Sequence, residues 1–136
     1  MSGASDVRDG FPVVCVIDDD PSVGRALTRL LRRHQFRAEA FVRPADFLQK
    51  VKARQSGESR CDALLLDINL GRTSGFDLHD RLVGSGLIIP TIFMTGRHRP
   101  GMREQVFRVG GKAYLIKPFE DDALITAVRM VLPPVV

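Results

Sequence analysis

Residues 13–21 read Val13-Val14-Cys15-Val16-Ile17-Asp18-Asp19-Asp20-Pro21, an unbroken and mostly β-branched apolar run that stops abruptly in acid. A continuous run of this kind is what a strand buried on both faces requires. Asp20 is suited to cap a helix whose first position is Pro21, where a missing N–H costs nothing. In that helix Val23, Ala26, Leu27, Leu30 and Leu31 fall within an arc of about 140° at about 100° per residue. Arg25, Arg29, Arg32 and Arg33 take the opposite side, either as a solvated face or as a docking surface.

The same alternation runs outward from this stretch. A short strand is expected near Phe36–Phe41, then a helix from Pro44 to about Val51. Arg54–Arg60, with Gln55, Ser56 and Gly57, reads as a surface loop. Ala63-Leu64-Leu65-Leu66 is a third strand ending at Asp67, and a loop with Gly71 and Gly75 leads to a helix through Leu78 and Leu82. Pro90–Met94 is a fourth strand, ending at Thr95-Gly96. Met102, Val106 and Val109 stand at helical spacing before Gly110-Gly111. Ala113–Ile116 is the fifth strand, ending at Lys117-Pro118. A last helix runs from about Glu120 to Val131, with Leu124, Val128 and Val131 on one side, before Pro133-Pro134. Five strands alternating with five helices predict a parallel sheet covered on both faces.

Composition narrows the class without deciding the function. The 136 residues suit one domain large enough to hold its own core. Apolar residues make up 44% and charged residues 26%, which excludes a disordered or collagen-like chain. No apolar run nears the roughly 18 residues of a membrane span, and residues 1–10 are small and polar rather than signal-like. A cytoplasmic protein is therefore expected, with tails over 1–11 and 133–136 and one domain over 12–132. The net charge of +4 comes from 20 basic and 16 acidic residues, the basic ones scattered arginines for the most part. A general lean toward Arg explains that scatter as well as a nucleic-acid footprint does, so the charge alone decides nothing.

In doubly wound sheets, ligands bind beyond the carboxyl ends of the strands. Those ends carry Asp18 and Asp19, then Asp67, Thr95 and Lys117. Three carboxylates converging on one rim repel one another unless a cation joins them, and hard oxygen ligands suit Mg2+. A hydroxyl and an ammonium opposite the carboxylates suit phosphoryl oxygens. Phosphoryl transfer onto a carboxylate, with Mg2+ neutralising the developing charge, is the chemistry these groups favour.

Taken together, Val-Ile-Asp-Asp-Asp (16–20), Leu-Leu-Leu-Asp (64–67), Gly75, Phe-Met-Thr-Gly (93–96) and Lys-Pro-Phe (117–119) resemble the CheY-like receiver domains of bacterial two-component response regulators. The subfamily pattern looks closest to FixJ-type regulators, and the resemblance covers about residues 12–132. It implies a flavodoxin-like (βα)5 fold with strand order 2-1-3-4-5. Asp67 would accept a phosphoryl group from a phosphohistidine of a sensor histidine kinase or phosphotransfer protein. Asp19 would bind Mg2+ directly, Asp18 mainly through water, and the backbone carbonyl of Asn69 would complete the ligands. Thr95 and Lys117 would hold phosphoryl oxygens, and Tyr114 matches the aromatic that moves inward with Thr95. Lys117–Pro118 would be cis. A receiver of this kind is not a turnover enzyme. It signals to a downstream protein partner, with a phosphorylation-dependent homodimer through the α4–β5–α5 face as one form of output.

The chain departs from the family pattern in places. Leu70-Gly71-Arg72-Thr73 replaces the usual Met-Pro, which predicts a less fixed loop. Gly111 replaces the usual Ala, which predicts a looser approach to strand five. Gly96-Arg97-His98-Arg99-Pro100-Gly101 is basic and breaker-rich, so the fourth helix is expected either to start late or to be mobile. Arg97 is either solvated or leans over the acyl phosphate, and His98 has no second ligand at metal spacing. Alternatives remain. Asp18-x-Asp20 with Thr95, Lys117 and Asp121-Asp122 resembles the motif order of haloacid-dehalogenase-type phosphatases, with Asp18 as nucleophile. A phosphate-independent interaction module would be expected to lack Asp67 or the acidic pair, and both are present. The chain could also be the receiver half of a FixJ-like transcription regulator; as given it reads as stand-alone, with no DNA-binding segment of its own. On the implied strand order, Cys15 and Cys61 lie about 10 Å apart along neighbouring strands, too far for a disulfide, so both thiols are expected free.

Overall fold

The structure, a computed structural model, describes residues 10–52 and 60–133. Most of the expected tails and of the 54–60 loop lies outside the described residues. Strands β1 (Val13–Ile17), β2 (Arg37–Phe41), β3 (Ala63–Asp67), β4 (Thr91–Thr95) and β5 (Ala113–Ile116) alternate with helices α1 (Pro21–Arg33), α2 (Pro44–Lys52), α3 (Gly75–Gly84), α4 (Met102–Arg108) and α5 (Asp121–Val131). The strands form one parallel sheet in the order β2-β1-β3-β4-β5. Among the described residues, no helix is long and apolar enough to cross a membrane.

Every residue of β1, β3 and β4 is buried, which is why these runs are continuous rather than alternating. Their alternate side chains feed two cores. Cys15, Ile17, Leu64, Leu66 and Phe93 pack with Phe47, Leu78, Leu82 and Val106 from α2, α3 and α4. Val14, Val16, Leu65, Ile92 and Met94 pack with Leu27, Leu30, Leu31, Leu124 and Val128 from α1 and α5. Each fully buried aliphatic side chain contributes about 1.5–3 kcal/mol, so the central three strands anchor the rim that they carry.

The helix starts follow the sequence. Asp20 accepts the backbone N–H of Ser22 at 2.9 Å and so caps α1, with Pro21 in the first turn. Ser74 accepts the backbone N–H of Phe76 at 3.0 Å and caps α3. Helix α4 starts late, after Gly101 at φ +85°, and has no side-chain cap. Two apolar positions miss the core. Ala26 is exposed, and Val109 lies past the end of α4 and is 40% exposed.

Three expectations need correction. The 69–74 loop, expected to be less fixed without proline, is held by strand pairing of its own. Asn69–Leu70 and Thr73–Ser74 pair as a two-residue antiparallel ladder, with Gly71 at φ +68° in the turn and Leu70 buried. Gly111 does not loosen the approach to β5; it permits a close one. A Cβ there would meet Val106 Cγ1 at 2.7 Å and Phe93 Cδ2 at 2.8 Å, and its N–H donates to Val106 O at 2.8 Å. Finally, register does place Cys15 beside Leu64, three positions above Cys61, yet the two thiols are neighbours. The strand begins only at Ala63, and Cys61 Sγ folds back to donate to Ala63 O at 3.3 Å, which brings it to Cys15. Both cysteines are free thiols, as expected. The hydrogen bond with Cys61 and then burial push the Cys15 thiol far up, so it stays protonated.

Candidate functional site

Strand register brings the polar strand ends level. Ile17 pairs with Leu66, Asp67 with Met94, and Thr95 with Ile116, so Asp18, Asp67, Thr95 and Lys117 share one rim. Asp18, Asp67 and Thr95 each end a buried apolar run, so the core that fixes those strands also fixes their part of the site, while Lys117 follows the partly buried β5.

Asp18 and Asp67 are 2% and 4% exposed, depths at which carboxylates need partners. Lys117 supplies both. Its Nζ donates to Asp18 Oδ2 at 2.6 Å and to Asp67 Oδ2 at 3.1 Å. The remaining oxygens are used as well: Asp20 N–H donates to Asp18 Oδ1 and Asn69 N–H to Asp67 Oδ1, each at 2.9 Å. The Lys117–Pro118 bond is cis, as expected.

These contacts set the protonation balance. Burial is the larger influence on Asp67 and raises its carboxyl above the ordinary value. The Asn69 N–H and Lys117 work against that rise, while the nearby Asp18 adds to it. For Lys117, burial alone would lower the ammonium, but its bonds to Asp18 and Asp67 outweigh burial and hold it above the usual range. The pair is a charged clasp, with the acid easier to protonate than a surface aspartate.

Asp19 is exposed at the same rim, and carboxylate oxygens of Asp18, Asp19 and Asp67 lie within 4.8 Å of one another. This donor set of hard oxygens fits a divalent cation such as Mg2+. A cavity of about 380 Å³ opens over it, lined by Asp19, Asp67, Asn69, Gly71, Gly96, Arg97 and Lys117.

Across the cavity, Thr95 is fully buried and its Oγ1 donates to Asn69 Oδ1 at 2.8 Å. Arg97 N–H in turn donates to Thr95 Oγ1 at 3.0 Å. The sequence reading placed Asn69 through its backbone carbonyl alone; the side-chain bond to Thr95 depends on loop folding that spacing does not encode. Tyr114 is inward and buried, with its hydroxyl hydrogen-bonded to His98 Nδ1 at 2.7 Å. Nothing in the spacing of His98 and Tyr114, 16 residues apart, signals that pair. Asp121 and Asp122 lie exposed in the first turn of α5 and are not among the clustered acids, which removes the geometry the phosphatase reading needs.

Gly75 holds the site from behind. A Cβ at that position would clash with the Asp67 carbonyl oxygen, and Gly75 N–H donates to Ile68 O at 2.8 Å. The start of α3 therefore packs directly on the backbone of the Asp67 strand end.

Comparisons with known proteins agree with this architecture. A family model described as the response regulator receiver domain matches residues 14–129. The response regulator protein TmoT of Ectopseudomonas mendocina is 31% identical over 130 residues, which is 96% of this chain and 57% of that protein. Nodulation protein W of Bradyrhizobium diazoefficiens is 33% identical over 116 residues, covering 85% of this chain and 49% of that protein. The chain thus spans about half the length of these curated relatives. Among solved structures, a response regulator receiver protein from Burkholderia phymatum is 38% identical with a TM-score of 0.78, covering 88% of this chain and 94% of that one. A CheY-like receiver domain from Methanospirillum hungatei, at 18% identity and a TM-score of 0.77, shares the fold over 89% of this chain and 93% of its own. With strand order and sequence in agreement, the chain belongs to the response regulator receiver family of two-component signalling.

Proposed function

We propose that Asp67 accepts a phosphoryl group from the phosphohistidine of a sensor histidine kinase or phosphotransfer protein. An Asp67 Oδ attacks phosphorus, the N–P bond breaks, and its electron pair stays on the departing imidazole. Asp19, Asp67 and the Asn69 carbonyl are suited to hold Mg2+, with Asp18 acting mainly through water. The metal supplies charge neutralisation on the phosphoryl oxygens. Lys117 moves from its carboxylates to the new phosphoryl group, and Thr95 exchanges Asn69 for a phosphoryl oxygen. Tyr114 reads out that exchange on the α4–β5–α5 side.

One observation carries the reading: a single ammonium within hydrogen-bonding distance of two buried carboxylates beneath an open polar cavity. A purely structural ion pair needs neither the second acid nor the cavity. Output would pass through protein contacts on the α4–β5–α5 face. An apolar groove of about 560 Å³ lies there between Phe107, Tyr114, Leu115, Ala127 and Met130, with Phe107 and Met130 exposed. Pairing with a second copy or with a downstream partner belongs to the same proposal, as do a receiver domain over 12–132 and a cytoplasmic site of action.

The test is incubation with Mg2+ and acetyl phosphate, followed by intact mass. One added phosphoryl group is expected, absent without Mg2+ and absent in Asp67→Asn. Uptake that survives Asp67→Asn and disappears in Asp18→Asn would overturn the proposal.

A further inference from the structure

Tyr114 is the only tyrosine of the chain, and there is no tryptophan. It lies on β5, 6% exposed, and its hydroxyl meets His98 Nδ1 at 2.7 Å. The two ring centroids are 5.7 Å apart, and the Arg103 guanidinium sits 5.7 Å from the Tyr114 centroid on the α4 side. His98 itself is exposed. Its ring covers a buried phenol from outside and adds nothing to either core. Three residues earlier, Thr95 Oγ1 receives the Arg97 N–H at 3.0 Å. The loop after β4 is therefore tied to the Thr95 hydroxyl at its start and to Tyr114 immediately afterwards.

A phenol hydroxyl turned inward needs a hydrogen-bonding partner, because leaving it unpaired forfeits its hydration. Burial also holds the Tyr114 phenol above its ordinary value, so the hydroxyl keeps its proton at neutral pH.

We propose that His98 is a positioning residue for Tyr114: its ring holds the phenol inward before any phosphoryl group arrives. The proposal rests on Tyr114 being the switch residue of the site described above, and it adds how that switch is set at rest. One wall of the α4–β5–α5 groove is then already formed in the unphosphorylated chain. Phosphoryl transfer deepens an existing bias instead of creating a new state, and basal contact with a partner follows. A hydrogen bond of ordinary net strength corresponds to roughly a two- to ten-fold bias toward the inward ring.

The lone tyrosine makes the test direct. Acrylamide quenching of its fluorescence is measured on the full chain, alone and with Mg2+ and beryllium fluoride, a phosphoryl mimic. In the native chain, quenching is expected to be weak and to change little with the mimic. In His98→Ala it should rise several-fold without the mimic and fall back with it. His98→Gln, which keeps a polar group at that position, should lie between. All three chains are checked by circular dichroism to be fully folded at the assay temperature, so a change in quenching reports the ring and not unfolding. Equal quenching in the native chain and His98→Ala overturns the proposal. Mimic binding, followed separately by fluorine NMR, tests the underlying reading. A native chain that binds no fluoride in an Asp67-dependent way overturns the phosphoacceptor assignment, whatever the quenching shows.

Discussion

The rim has two halves that are held in different ways. On the β1–β3 side, Asp18 and Asp67 are buried charges clasped by Lys117. On the β4–β5 side, Thr95 and Tyr114 are buried neutral groups, each held by one side chain, Asn69 and His98. Removing one partner from a buried charged pair is costly, whereas losing one neutral hydrogen bond costs about 1 kcal/mol and exchanging it for another costs less. The charged half is thus costly to take apart, and the neutral half is cheap to rearrange.

The strongest way to break this contrast is Lys117→Met. It leaves two buried carboxylates facing each other, and a loss of about 3 kcal/mol is expected at neutral pH by denaturant titration. The sign with pH follows from Asp67. Burial puts its folded value above the unfolded 3.8, so its contribution is present below 3.8 and lost as pH rises through the folded value. The variant should therefore recover most of its stability in acid. A deficit that stays the same at low pH would mean that Lys117 acts through packing rather than charge.

Gly75→Ala comes next. The added methyl displaces the Asp67 carbonyl, so a loss of about 2 kcal/mol is expected, together with slower phosphoryl uptake measured by mass. Unchanged uptake at reduced stability would separate the support of the strand end from the chemistry it carries. The smallest effect belongs to the neutral half. Thr95→Val keeps the shape and removes the donor to Asn69, with about 1 kcal/mol lost and uptake retained. Abolished uptake in this variant would erase the distinction between the halves.

The fold was legible because its evidence is local. Runs such as Val13–Ile17 and Ala63–Leu66 are buried on both faces, and each announces itself without reference to the other. The charged half of the site was legible for the same reason, since an acid ending an apolar run has little structural excuse. What the sequence hid depends on where loops fold back. Cys61 reaches Cys15 because its chain leaves the strand line, which extrapolation along a straight strand misses. His98 meets Tyr114 across 16 residues, and no periodicity links a loop to the middle of a strand. Gly111 read as slack, whereas its missing methyl is filled by Val106 and Phe93.

The two edges of the sheet also differ. The β2 edge carries Arg37 and Glu39, with Lys50 paired to Glu39 at 2.8 Å and Arg32 donating to Ala38 O at 2.8 Å. The β5 edge, Ala113–Ile116, bears no charge. Open-ended stacking of sheets needs two compatible edges, and charged side chains make β2 a poor one. On the proposed output face, two copies meeting through β5 would complete their assembly at two and leave only charged β2 edges, which give no template for a growing fibre.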